Sequence, residues 1–182
     1  MAKFKSIFII ALVLLLTACG AKTVTVEFPA SFFEGEDIES FAEQFRSGTG
    51  FKKVKVNDDG SMTLIVTEEK YNLQVEAMEE TAKSLYATIG EEGGFFKTVK
   101  KLDYSEDYTS LTFTVDREAY EASNEAENIE QVIYVSRLYQ VFALNTEGII
   151  EVNYVDENTG EIYKTDLYNA AGKIDETGEA SS

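Results

Sequence analysis

Three stretches of this chain alternate apolar with polar residues and end alike: five positions after the last apolar residue of the strand comes an aromatic one. Phe28 is followed by Phe33, Val66 by Tyr71 and Val115 by Tyr120. Each time an acidic stretch and a helical pattern come next, then a strand opening on Phe51, Phe96 or Ile150. A period-2 segment that hands over to a period-3.6 segment and back can bury both apolar sides only in layers, helices against a sheet. The unit reads strand–helix–strand, three times over. Chance resemblance among such units is the competing reading of the same pattern.

The elements follow from spacing and punctuation. Val24, Val26 and Phe28 share one face of a strand against Thr25 and Glu27, and Pro29, the only proline, ends it. Ile38, Phe41, Ala42 and Phe45 fall at helical spacing between Glu36 and Ser47, with Gly48 and Gly50 as the stop. Over 51–56, Val54 and Val56 alternate with Lys53 and Lys55; Asn57-Asp58-Asp59-Gly60 is hairpin chemistry, and Met62, Leu64 and Val66 mark the return. Asn72 is the expected cap of a long helix whose Met78, Ala82, Leu85 and Ile89 form a stripe ending at Gly90. Residues 95–102 read as a strand in which Val99 and Leu102 share an inner face only through a bulge. After a turn over 103–107, Leu111, Phe113 and Val115 alternate with threonines. Between Asn124 and Leu144, residues such as Ile129, Val132, Ile133, Leu138, Val141 and Phe142 cover most of a helix circumference, the mark of a central helix. Ile150, Val152 and Tyr154 lead through a turn at 156–160 to a last strand over 162–168.

The predicted class is α+β: about seven strands in a largely antiparallel or mixed sheet, three helices on one face, built from repeated β-α-β units. The first two units give the order β-α-β-β-α-β, which resembles the ferredoxin-like split βαβ folds. Right-handed crossovers would gather the helices on one face. The open face would then carry Thr25, Glu27, Lys53, Lys55, Thr63, Ile65, Thr112, Thr114, Glu151 and Asn153, a largely polar set.

The N-terminus carries a different kind of information. Lys3 and Lys5, an unbroken apolar run from Ile7 to Leu16, and the small Thr17 and Ala18 have the layout of a secretory signal. The run is too short for a membrane span, which takes about 20 apolar residues. Leu16, Thr17, Ala18 and Cys19 resemble the lipobox of bacterial lipoproteins. That resemblance covers residues 1–19; it implies cleavage after Ala18 and lipid attachment to the sulfur of Cys19, the only cysteine. An ordinary secretory signal with a chance cysteine at the cut is the other reading of these residues. Two acyl chains hold a protein stably where one does not, so the expected location is the outer, extracytoplasmic face of the cell membrane. The organisation is then a removed signal over 1–18, an anchor and short linker over 19–22, one α+β domain over 23–170 and a disordered tail over 171–182.

Charge and residue inventory narrow the function. The 33 acids and 16 bases give a formal charge of −17, and the leader holds two of the bases and no acid, so the mature domain is more acidic still. Such a domain is a poor partner for nucleic acid and does not lie flat on anionic lipid. With no histidine, no tryptophan and Cys19 spoken for, the usual general base, imidazole ligands and thiol nucleophile are missing. No Gly-rich phosphate loop appears. Carboxylate pairs could support glycoside hydrolysis, but 33 acids supply many chance pairs. No enzyme is expected, and no catalytic, cofactor or metal residue is nominated.

Three acidic turns offer oxygens to calcium, which wants six to eight of them: Asp58-Asp59, Asp103 with Glu106 and Asp107, and Asp156-Glu157-Asn158. They read as ordinary hairpin turns. Tyr104, Tyr108, Tyr154, Tyr163 and Tyr168 crowd the last strands and read as core periphery, with a partner or glycan surface as the alternative. The expected function is a non-enzymatic lipoprotein, anchored through Cys19, that binds or modulates a protein partner at the membrane surface. The alternative is a lipoprotein that captures a small molecule, glycan or cation for a transporter.

Overall fold

A computed structural model describes residues 21–91 and 94–175 of the 182. In chain order it holds β1 (Thr23–Phe28), a 3-10 turn (Ala30–Phe33), α1 (Ile38–Arg46), β2 (Phe51–Val56), β3 (Met62–Thr67), α2 (Glu68–Ala87), β4 (Val99–Tyr104), β5 (Ser110–Val115), α3 (Arg117–Glu121), α4 (Glu125–Phe142), β6 (Ile150–Asp156), β7 (Ile162–Asn169) and β8 (Gly172–Ile174). The class is α+β and the strand pairing mostly antiparallel, as expected. The strands nevertheless form two sheets, β1-β3-β2 and β4-β5-β6-β7-β8, where the sequence reading placed about seven in one.

The division follows from which edges are free. β3 pairs antiparallel with both β1 and β2, so β1 and β2 run parallel with β3 between them, a split β-α-β unit. With both edges of β3 taken, β4 pairs instead with its own hairpin partner β5 and founds the second sheet. There β5 and β6 lie side by side in parallel across the α3–α4 crossover. The three strand–helix–strand units therefore sit in three settings: split, bridging and adjacent.

Local chemistry explains the boundaries. Asn57 N–H donates to the Ser61 carbonyl at 2.8 Å and Gly60 sits at φ +83°, closing the β2–β3 hairpin. The bulge in β4 falls between Val99 and Lys101, and it lets Val99 and Leu102 both be buried. α1 is capped by Asp37, whose carboxylate accepts from the Glu39 and Ser40 amides.

Three expectations are corrected. α2 begins at Glu68, not at an Asn72 cap: Thr67, the last residue of β3, accepts from the Lys70 amide at 3.3 Å, and Glu68 and Glu69 suit the first turn. The strand expected over 95–102 starts only at Val99, because the Lys97 and Thr98 amides donate to Glu125 on α4. Residues 171–175 are not tail. Asn169 accepts from the Ala171 and Gly172 amides at 2.9 and 3.2 Å, turning the chain back so that β8 pairs with β7. The remainder of the expected tail, 176–182, lies outside the described residues.

Each sheet buries one face against helices, and two helices serve both. Tyr71, Val75 and Met78 of α2 pack on the first sheet's core, and Ala82 and Tyr86, with Ile89 just past the helix, on the second's. α4 runs the other way: Ile129, Val132 and Ile133 serve the second core, and Leu138, Val141 and Phe142 the first. A helix apolar around most of its circumference is thus flanked on more than one side.

Candidate functional site

Where the chain enters the domain, its first residues are fixed by the α2 N-terminus. The Lys22 carbonyl accepts from the Glu68 amide at 2.9 Å, and Lys22 Nζ lies 3.9 Å from Glu68 Oε2. An amide of the first helical turn has no partner within its own helix; here the entering strand supplies one. Beside it Thr23 pairs with Thr67, and the Thr67 amide donates to the Gly50 carbonyl at 3.0 Å. Gly50 has φ +89°, and a Cβ there would lie 2.7 Å from Lys70 Cβ, so the turn from α1 into β2 packs directly on α2. Tyr71 donates to the Phe142 carbonyl at 2.7 Å and ties the last turn of α4 into the same end. From Lys22 onward the backbone is hydrogen-bonded into the domain. Cys19 itself lies outside the described residues.

The other nominated groups are dispersed. Tyr108, Tyr154 and Tyr168 are buried and Tyr163 half-buried, leaving Tyr104 as the one well-exposed ring of the five. Tyr108, Tyr154 and Tyr168 belong to the second core and Tyr163 packs against it. Thr25, Glu27, Lys53, Lys55, Thr63 and Ile65 line the first sheet's outer face, and Thr112, Thr114, Glu151 and Asn153 the second's, so the expected open face is split in two. Asn153 is buried there, donating to Glu151 at 2.6 Å and accepting from Thr165 at 2.6 Å.

The carboxylates of the acidic turns mostly hold their own loops. Asp59 accepts from the Ser61 hydroxyl and amide, which bring it below the usual carboxylate range. Asp107 is lowered in the same way by the Ser105 and Thr109 hydroxyls, and Asp156 caps Asn158. Among the described residues no group of three or more acids or other metal-binding side chains is gathered as a metal would need.

Two features escaped the sequence reading. Glu125, buried at the start of α4, accepts from the Lys97 amide, the Thr98 amide and the Thr98 hydroxyl at 2.7, 3.0 and 2.6 Å. Burial acts to raise its carboxyl, and these bonds outweigh burial and bring it below the ordinary value. The only sequence signal was an acid at the first helical position, which capping alone explains. The second feature is a cleft of about 470 Å³ lined by Phe32, Glu34, Glu36, Glu130, Tyr134 and Arg137. Arg137 donates two bonds to the Ala170 carbonyl and lies 5.3 Å from the centre of the Phe32 ring. Its residues come from segments a hundred positions apart, and nothing in the local pattern marks them.

No helix among the described residues is long and apolar enough to cross a membrane. No family model, curated protein or solved structure matches this chain.

Proposed function

We propose that the protein is a lipoprotein held by Cys19 at the outer face of a cell membrane, and that it acts without catalysis by binding or modulating a protein partner at that surface. The observation that carries the reading is the pinning of Lys22 on α2. Only Gly20 and Ala21 separate Cys19 from Lys22, so the acyl-bearing sulfur and the domain stay within about 10 Å of chain. A domain on so short a tether meets what lies at the bilayer and little else. Its acidic surface keeps it from nucleic acid.

Replacing Cys19 with Ala in the producing cell tests the anchor: the protein is expected to leave the membrane fraction, and full retention would overturn the reading. Photocrosslinking from Lys53, Thr63 and Thr112 on the outer sheet faces tests the partner, expected as one discrete adduct. The second reading, capture of a small molecule, glycan or cation for a transporter, draws on the cleft beside Arg137. Saturable thermal stabilisation by one ligand would favour it over the partner reading.

A further inference from the structure

The end that holds Lys22 differs from the rest of the surface in charge. Acids outnumber bases 33 to 16 in the chain, yet around the entry point and Leu144, Lys22, Lys52 and Lys70 are matched by Glu27, Glu68 and Glu69. Lys70 lies over the Phe51 ring at 5.7 Å, and Lys22 faces Glu68. The same end presents two leucines to solvent. Leu73 on α2 is 55% exposed, and Leu144, two residues past the carbonyl that Tyr71 bonds, is 53% exposed.

We propose that this end is a lipid-contacting face: the domain stands end-on against the bilayer, with Leu73 and Leu144 reaching the headgroup region. The inference rests on the anchor reading and adds an orientation to it. With the anchor at Cys19, only Gly20 and Ala21 lie between it and Lys22, too short a tether to let the domain turn away. An anionic leaflet attracts cations and repels acids within about a Debye length, roughly 8 Å at physiological salt. The balanced end can therefore approach the lipid while the acidic remainder is held off. Leucine side chains at an interface add apolar burial to the anchor. Both outer sheet faces are left standing beside the bilayer, free for a protein.

The test uses the full lipidated chain, in which the Cys19 sulfur is blocked and a second cysteine can carry a label. Leu73→Cys and Ile162→Cys are each labelled with an environment-sensitive fluorophore and reconstituted into vesicles of phosphatidylcholine and phosphatidylglycerol containing a headgroup-depth nitroxide lipid. Both positions are exposed helix or strand residues, 55% and 57% accessible. The expected result is quenching several-fold stronger at position 73. Equal quenching at the two positions, or none at 73 in protein that floats with the vesicles, overturns the orientation and leaves the anchor standing. Protein that does not float overturns the anchor reading and this one with it. Shielding of position 73 in native membranes but not in protein-free vesicles assigns the face to a protein and also overturns the proposal.

Discussion

The two cores that share α2 and α4 differ in the balance of their buried aromatic residues, all phenylalanine in the first and mostly tyrosine in the second. Against the β1-β3-β2 sheet, Phe28 is fully buried among Phe32, Phe33, Phe41 and Phe142, with ring centroids 5.2, 5.7, 5.6 and 5.7 Å away. Against the larger sheet Phe96 and Phe113 are buried together with Tyr86, Tyr108, Tyr120, Tyr154 and Tyr168, and several of these tyrosine hydroxyls find acceptors. Tyr86 shares a 2.6 Å hydrogen bond with Ser136 on α4, Tyr168 donates to Glu130 at 2.6 Å, and Tyr108 reaches the Glu79 carbonyl at 3.5 Å. A phenylalanine core is specified by volume and ring geometry; a tyrosine core also demands that particular acceptors sit at particular places. The first sheet is thus held by packing, while the second is also keyed to the rotation and register of α4.

Alkali should separate the two most strongly. Burial raises the hydroxyls of Tyr86, Tyr120, Tyr154 and Tyr168 above the ordinary tyrosine value, Tyr120 to about 12. Unfolded tyrosines ionise near 10, so above that pH the folded state keeps protons that the unfolded state has released. Stability is therefore full below about pH 10 and falls as pH rises toward the folded values, each such tyrosine adding a slope of up to about 1.4 kcal/mol per pH unit. Urea titrations from about pH 9 to about pH 11 check it, with tyrosinate absorbance appearing together with loss of β-sheet signal. A flat stability across that range would remove the distinction between the cores.

In the phenylalanine core the corresponding break is volume. Phe28→Ala empties the centre of five rings and is expected to cost about 3–5 kcal/mol in urea unfolding at neutral pH. A loss under about 1 kcal/mol would mean that the first sheet collapses around the gap, which contradicts a core specified by close packing.

Much of this was legible from the chain, and the exceptions share a cause. Period-2 alternation located β1, β3 and β5, Asn57 through Gly60 located a hairpin, and the bulge at Val99 followed from two apolar residues three apart. Each of these depends on neighbours in sequence. The division into two sheets depends on which strand edges are already occupied, and that is a property of pairing. The shortening of β4 depends on Glu125, 27 residues downstream of the Thr98 amide it accepts from. β8 has three residues, too few to show a period, and rests on the Asn169 side chain. Tyrosine was ambiguous in principle, since the same residue suits a strand interior and an interface; only the position of Ser136, Glu130 and α4 decides. The cleft beside Arg137 joins Phe32 to Tyr134 across the fold, beyond any local pattern.

The keyed character of the second core can be tested one hydroxyl at a time. Tyr86→Phe keeps the ring but leaves the Ser136 hydroxyl, fully buried, without its tyrosine partner. The expected cost is about 1–3 kcal/mol. Adding Ser136→Ala removes the orphaned group as well, and the double variant should recover part of the loss. Additive losses in the urea cycle would show that the hydroxyl pair contributes nothing beyond its packing.

The smallest expected effect lies at the sheet edges, where the two halves are alike. β2 borders the first sheet and β4 the second, and these edges carry Lys52, Lys53 and Lys55 and Lys100 and Lys101 in a chain poor in bases. An exposed edge offers unpaired backbone groups to another strand, and lysines discourage that pairing by requiring any incoming strand to accommodate their charge. Replacing Lys53 and Lys55 with Thr should change stability by no more than about 0.5 kcal/mol, since both are exposed. Self-association measured by sedimentation should nevertheless rise, through pairing of β2 edges. The acidic surface opposes any such contact between copies, so the rise should grow with added salt as that repulsion is screened. A variant that stays monomeric at high salt would show that the lysines only solvate the edge, and that net charge alone keeps the molecules apart.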